Sequence, residues 1–197
     1  MANIDASFGM RPLTSDVGGG WAGKLKKYAV KNDYGTALYR GDPVLITGTA
    51  TVDPTTGKIL PNVARAGTSG YITGVIVAVV ASSGTTSTLI ESTTQYIPAS
   101  TGGFVLVNDD PNTLYEIQVD GTLAVTDIGQ TADLIFTNAG SAITGQAGAE
   151  LDCSDIATGT MLVIEGVRDQ DRNDLTGSNA VAIVRINNHQ HRYQTGV

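Results

Sequence analysis

Short runs of Val, Ile, Leu and Thr recur along the chain, each closed by a cluster of Gly, Ser, Asn, Asp or Pro. That pattern is the signature of brief strands joined by tight turns. Candidate strands fall at 44–47, 49–52, 71–81, 88–91, 104–108, 114–119, 123–125, 133–137, 161–167 and 180–187. Their spacing suits a β-sandwich or jelly-roll-like body, or a β-barrel. Turn chemistry punctuates them at Asp53-Pro54-Thr55-Thr56-Gly57, Asp110-Pro111-Asn112 and Asp120-Gly121, residues that preset φ or tolerate positive φ. Asp120-Gly121 between two alternating runs predicts a hairpin. Few windows carry apolar residues at helical spacing. The best helical candidate is a turn or two at 151–157, with Asp152 or Ser154 as its cap. The fold class expected is therefore all-β.

The first 42 residues break this pattern: they lack apolar alternation and contain Gly18-Gly19-Gly20 and the basic residues Lys24, Lys26, Lys27 and Lys31. They read as an extended N-terminal arm, followed by a β-rich body at 43–187 and a short polar C-terminal tail at 188–197. Phe8, Pro12, Trp21, Tyr28 and Tyr34 give the arm bulky rings that a disordered tail rarely carries, which suggests ordering on a partner.

With 197 residues, 41% hydrophobic and 16% charged, the chain is long enough to bury a core and too apolar for a disordered polyelectrolyte. A net charge of −7 argues against a broad cationic face for nucleic acid. Charge is also segregated. Six of the twelve basic residues lie in the first forty positions, whereas 66–167 holds eleven acidic residues and no Lys or Arg. A cationic leading segment and an anionic body are implied. One cysteine, Cys153, excludes an intramolecular disulfide. The leading MANIDASFGMRP shows neither a basic region nor a long apolar run, so folding in the cytosol is expected. The longest apolar run, 75–81, is far short of the ~20 residues that cross a bilayer, so no membrane partner is expected.

Candidate chemistry is sparse. Gly18 to Leu25 nearly matches a phosphate loop, but Leu25 stands where the magnesium-binding hydroxyl belongs and no buried strand precedes it. Asp169-Gln170-Asp171-Arg172-Asn173-Asp174 begins like a calcium loop, yet Asp174 replaces the turn glycine and Ala180 the bidentate glutamate. His189 and His191 sit in the polar tail with no rigid element to fix them, so a structural zinc is not expected. Cys153 reads as a small, partly buried thiol. Asp109 and Asp110 precede Pro111, where solvated turn carboxylates collect. No nucleophile elbow occurs. Neither catalytic residues, nor a cofactor, nor a metal site is expected.

Four segments taken together are more specific than any one: Asp5-Ala6-Ser7-Phe8-Gly9-Met10-Arg11-Pro12, Gly35-Thr36-Ala37-Leu38-Tyr39-Arg40-Gly41-Asp42-Pro43-Val44, the run from Asp109 to Asp120 reading DDPNTLYEIQVD, and Val184-Arg185-Ile186-Asn187-Asn188-His189-Gln190. In this order the chain resembles the head cement, or decoration, proteins of short-tailed and related tailed bacteriophages. The resemblance implies a non-enzymatic protein, made in the host cytoplasm, that coats the outer surface of the virion's capsid. Its partners would be the major capsid protein and neighbouring copies of itself, as a homodimer or homotrimer. On that reading Phe8, Arg11, Pro12, Trp21, Lys24, Lys26 and Lys27 form a capsid-binding arm. The alternative is a β domain that binds carbohydrate or a host surface, in which Tyr71 and Tyr96 would stack on sugars.

Overall fold

The apolar runs pair almost entirely antiparallel, and the chain is all-β as expected. The computed structural model describes residues 3–16, 18, 23–80, 95–169, 173–175 and 177–193, with the backbone alone at Tyr193. Trp21 and the candidate strand at 88–91 lie outside these residues. Fourteen strands are present among them: β1 (Arg11–Ser15), β2 (Lys26–Val30), β3 (Leu38–Tyr39), β4 (Pro43–Val52), β5 (Ile59–Arg65), β6 (Gly74–Val80), β7 (Tyr96–Ile97), β8 (Gly103–Asn108), β9 (Thr113–Gln118), β10 (Thr131–Ala132), β11 (Leu134–Ile135), β12 (Glu150–Leu151), β13 (Leu162–Val167) and β14 (Val181–Ile186). A single turn of helix, α1 (Gln190–Tyr193), ends them.

Two larger sheets result. One is a closed barrel in the order β2-β5-β4-β6-β8. Closure removes the edge strands that would otherwise expose unpaired amides. Alternate residues of β2, β4, β5, β6 and β8 point inward, so Tyr28, Val30, Val44, Val63, Ile76, Val105 and Val107 fill the barrel together with Leu38 and Ile97. The other is an open five-stranded sheet, β1-β9-β14-β13-β10. Its core gathers Tyr115, Ile117, Leu162, Ile164, Ala182, Val184 and Ile186, and it draws in Ile72 and Val75 from the barrel side. The two sheets thus share a packed seam. Side chains buried this way each contribute about 1.5–3 kcal/mol relative to exposure.

The described residues among the first 42 do not form a free arm. β1 pairs with the edge of β9, with Arg11 opposite Glu116 and Pro12 opposite Tyr115. β2 pairs along its whole length with β8 and completes the barrel through Ala29 and Asn62. The reason is visible in β2, where Tyr28, Ala29 and Val30 are all buried, a burial that the adjoining lysines conceal from a reading by composition. The expected tail is also built in. Ile72 donates its amide to the Asn188 carbonyl at 3.0 Å and accepts from Gln190 at 2.8 Å, so residues 188–190 thread along the seam instead of leaving it.

The Asp120-Gly121 hairpin does not form: β9 pairs with β1 and β14, and residues 122–124 run on into a 3₁₀ turn at Val125–Asp127. The strands predicted at 44–47 and 49–52 are one strand, β4, whose register shifts between Ile46 and Ala50. Gly48, at φ +75°, absorbs the irregularity. The helical candidate at 151–157 is a 3₁₀ turn, Cys153–Asp155, with Asp152 accepting from the Ser154 amide.

Candidate functional site

Residues 4–6 lie against Gln118 of β9, and Arg11 and Pro12 pair with its edge. Glu116 and Gln118 point away from the core of the open sheet, yet both are buried. Gln118 is covered because its side chain stands in for a strand partner: Nε2 donates to the Ile4 carbonyl at 2.7 Å and Oε1 accepts from the Ala6 amide at 3.1 Å. Glu116 accepts from Arg168 at 2.9 Å. The segment then crosses the turn before β4. The Met10 amide donates to the Gly41 carbonyl at 2.8 Å, and the Gly41 amide to the Ile76 carbonyl at 2.7 Å.

Two glycines make that crossing possible. Gly9 and Gly41 have φ of +73° and +91°, and a Cβ on either would come within 2.5 Å of the other segment's backbone, at the Gly41 and Phe8 carbonyl oxygens respectively. Left-handed backbone and close approach together admit only glycine. Asp42, just beyond, is buried and accepts from the Tyr39 amide at 2.8 Å. Burial pushes its carboxyl up to about 7, against the opposing pull of that hydrogen bond and of Arg65.

Beside the crossing is a cavity of about 180 Å³, lined by Phe8, Met10, Arg11, Pro12, Arg40, Gly41, Ile76, Val77 and Gln146. The Arg11 guanidinium carbon sits 4.1 Å from the centre of the Phe8 ring, a cation–π contact. Arg40 donates from Nη2 to the Thr144 carbonyl at 2.8 Å and to Gln95 Oε1 at 3.2 Å. Burial lowers the pKa of Arg11; Glu116 opposes that shift, and the charges of Arg168 and Arg40 add to it. The site is therefore a cationic recess with an apolar wall.

Of the residues expected to bind a capsid, Phe8, Arg11 and Pro12 meet in this recess. The lysines do not join them. Lys24 is exposed. Lys27 pairs with Asp53 at 2.8 Å and lies 4.2 Å from the Phe104 ring centre. Its hydrogen bond, with that of Thr56, draws the Asp53 carboxyl down to about 2. Lys26 lies 3.7 Å from Asp109 and 5.2 Å from the Tyr28 ring. Both of these lysines brace their own barrel.

The histidines also move from their expected setting. His189 is fully buried, its Nδ1 accepts from the His191 amide at 3.1 Å, and Nε2 has no hydrogen-bond partner among the described residues. His191 lies 3.6 Å from Asp109, which also accepts from the Tyr28 hydroxyl at 2.8 Å. Asp109 is thus a packed member of a polar cluster at the barrel mouth and not a solvated turn residue. Cys153 is half-buried, and desolvation, with Asp120 nearby, pushes its thiol up to about 12. It is held as a neutral thiol, a poor nucleophile.

In the calcium-like run, residues 170–172 lie outside the described residues, while Asn173 clamps Val181 by accepting from its amide at 2.6 Å. Half of the phosphate-loop match, residues 19–22, is likewise outside them. Tyr71 is 46% exposed, but Tyr96 stacks face to face on Tyr39 at 5.0 Å, so one of its faces is taken. Among the described residues no helix is long and apolar enough to span a membrane.

Reading residue types missed Arg40, Gln146, Ile76 and Val77 as members of the recess, and missed the role of Gln118. A signal was present: Gly9 before Met-Arg-Pro and Gly41 before Asp-Pro mark two backbone positions of special geometry. Comparison with protein-family models, curated proteins and solved structures finds no match.

Proposed function

We propose that this chain is a structural, non-catalytic decoration protein of a tailed-phage head, one that docks on the outer surface of the major capsid protein and reinforces the shell. The observation that carries the reading is spatial. The four segments on which the resemblance rests fold onto one another: residues 5–12 lie over β9, cross residues 39–44 at Gly41, and β9 pairs with β14, whose end leads to His189 and Gln190. Segments far apart in sequence thus pack onto one another, and two of them, residues 5–12 and 35–44, supply lining of the cationic recess.

A protein of this role acts by many modest contacts repeated over a shell, where shared neighbours raise the effective resistance to rupture. A rigid all-β block suits it, because little order has to be gained on docking. On this reading the docking surface is preformed around Phe8, Arg11 and Pro12, and it is not an arm that orders on contact. The test is cosedimentation of the full chain with phage heads that lack it. Saturable binding at a fixed ratio to the capsid subunit is expected. Recovery of the protein in the supernatant, and its absence from purified virions, would refute the role.

A further inference from the structure

The recess holds two guanidinium groups whose bonding capacity is largely unused. Among the described residues Arg11 donates to no acceptor, and neither Arg11 nor Arg40 has a carboxylate within 4.0 Å. Both protein bonds of the Arg40 guanidinium leave from Nη2, so its Nε and Nη1 donors are free for another acceptor. The carboxylate whose charge acts on Arg11, Glu116, is already bonded to Arg168. Lys26, Lys27, Lys31, Arg168 and Arg185 each have a carboxylate within 4.0 Å, whereas Lys24, Lys58, Arg65 and Arg192, like Arg11 and Arg40, have none among the described residues. In a chain of net charge −7, this is a local excess of positive charge on two exposed side chains at the mouth of the recess.

Size narrows the ligand. About 180 Å³ is near the ~150 Å³ of a cavity that takes one benzene. One side chain fits. The apolar wall of Phe8, Met10, Pro12, Ile76 and Val77 suits the methylene and backbone of such a residue, while the unbonded planar fork of Arg11 matches a carboxylate and Arg40 can add a single donor.

We propose that this recess is the receptor for one Asp or Glu side chain of a partner polypeptide, seated between Arg11 and Arg40 with its apolar neighbour against Phe8 and Pro12. The inference rests on the reading of the chain as a docking protein and names the chemistry by which it docks.

The probe is N-acetyl-leucyl-aspartate amide, with the asparagine analogue as its uncharged counterpart. Both are titrated into the full chain while the arginine Nε–H resonances are followed by NMR. The aspartate peptide should shift the Arg11 and Arg40 signals and saturate in the millimolar range. The asparagine peptide should bind weaker by on the order of tenfold or more, as for a lost charged hydrogen bond. Arg11→Gln and Arg40→Gln should each weaken the aspartate peptide similarly, and Arg40→Lys should restore only part of it. Circular dichroism and melting confirm that each variant folds. Should Arg40→Gln unfold, Arg11→Gln, on the edge strand, carries the test alone. Equal binding of the two peptides, or binding that survives Arg11→Gln, overturns the proposal. So does a response to sodium sulfate with none to the aspartate peptide. If wild type and Arg11→Gln cosediment equally with heads, the recess is not the docking receptor, although the decoration role stands. If the peptide binds as expected and heads do not, the decoration role falls and the carboxylate site remains.

Discussion

His189 is a neutral base sealed in the seam between the sheets, and its acid titration should loosen the C-terminal strap. Burial lowers its pKa from 6.5 to about 4; His191 and Arg192 on its own segment push the same way, while Asp109 and Asp110 before β9 oppose them. The unfolded chain therefore takes up a proton near pH 6.5, which the folded chain refuses until about pH 4. Below pH 6.5 the unfolded state binds more protons, so this group's stabilising contribution is present at neutral pH and is lost as the pH falls. At about 1.36 kcal/mol per pH unit, the loss reaches about 2 kcal/mol by pH 5 and about 3 kcal/mol by pH 4. The assay is urea unfolding of wild type and His189→Gln at pH 7, 6, 5 and 4. Glutamine does not titrate and retains an acceptor for the His191 amide. Because the carboxylates and His191 are present in both proteins, the difference between the two isolates His189. That difference should move in the variant's favour by about 2 kcal/mol between pH 7 and 5. A difference that stays constant over this range would refute the reasoning, since it would mean that the ring is hydrated or already paired.

Asp42 works in the opposite sense. Its folded pKa of about 7 lies above the ordinary 3.8 of an aspartate, so the folded state holds the proton longer and stability from this group rises as pH falls from about 7 toward 4. Asp42→Asn, which keeps an acceptor for the Tyr39 amide, should melt higher than wild type at pH 8, with the gap closing by pH 5; a gap independent of pH contradicts the burial argument. Gly41→Ala meets both a φ of +91° and the Phe8 carbonyl at 2.5 Å. It should cost roughly 1–3 kcal/mol or more and expose residues 3–10 to limited proteolysis before the barrel, and unchanged melting would show that the crossing relaxes freely.

The fold class was legible because β-branched runs and turn residues agree locally at β4, β6, β8, β9, β13 and β14. What escaped was set by partners far away in sequence. β5 reads ILPNVAR, and its Pro61 argues against a strand until β4 supplies the register. β1, RPLTS, has no alternation of its own and is a strand only because the edge of β9 is open beside it. The same cause separates the recognised residues of the recess from the missed ones. Phe8, Arg11 and Pro12 share one short segment and stood out by type, whereas Arg40, Ile76 and Gln146 come from three other places and acquire a role only by convergence. His189 and Gln190 looked like tail residues for the same reason: their partners, Ile46, Ile72 and Thr73, lie more than a hundred positions earlier.

The first and last described segments are each held by an amide side chain that imitates strand pairing, and this bears on how force would pass through the molecule. Gln118 bonds the backbone of Ile4 and Ala6; Gln190 accepts from the Ile46 amide at 2.8 Å and donates to the Ile46 carbonyl at 3.2 Å. The first ties the leading segment to the open sheet, and the second ties the closing strap to the barrel. A load applied at Phe8 or Arg11 therefore enters β9 directly, passes to β14 along a ladder running from Val181↔Gln118 to Arg185↔Leu114, and reaches the barrel through the strap that follows β14. Buried ladders of this kind open only with the global unfolding of the sheet. A surface grip on the Phe8–Pro12 segment would thus be anchored in both cores, and not in a terminus that could fray.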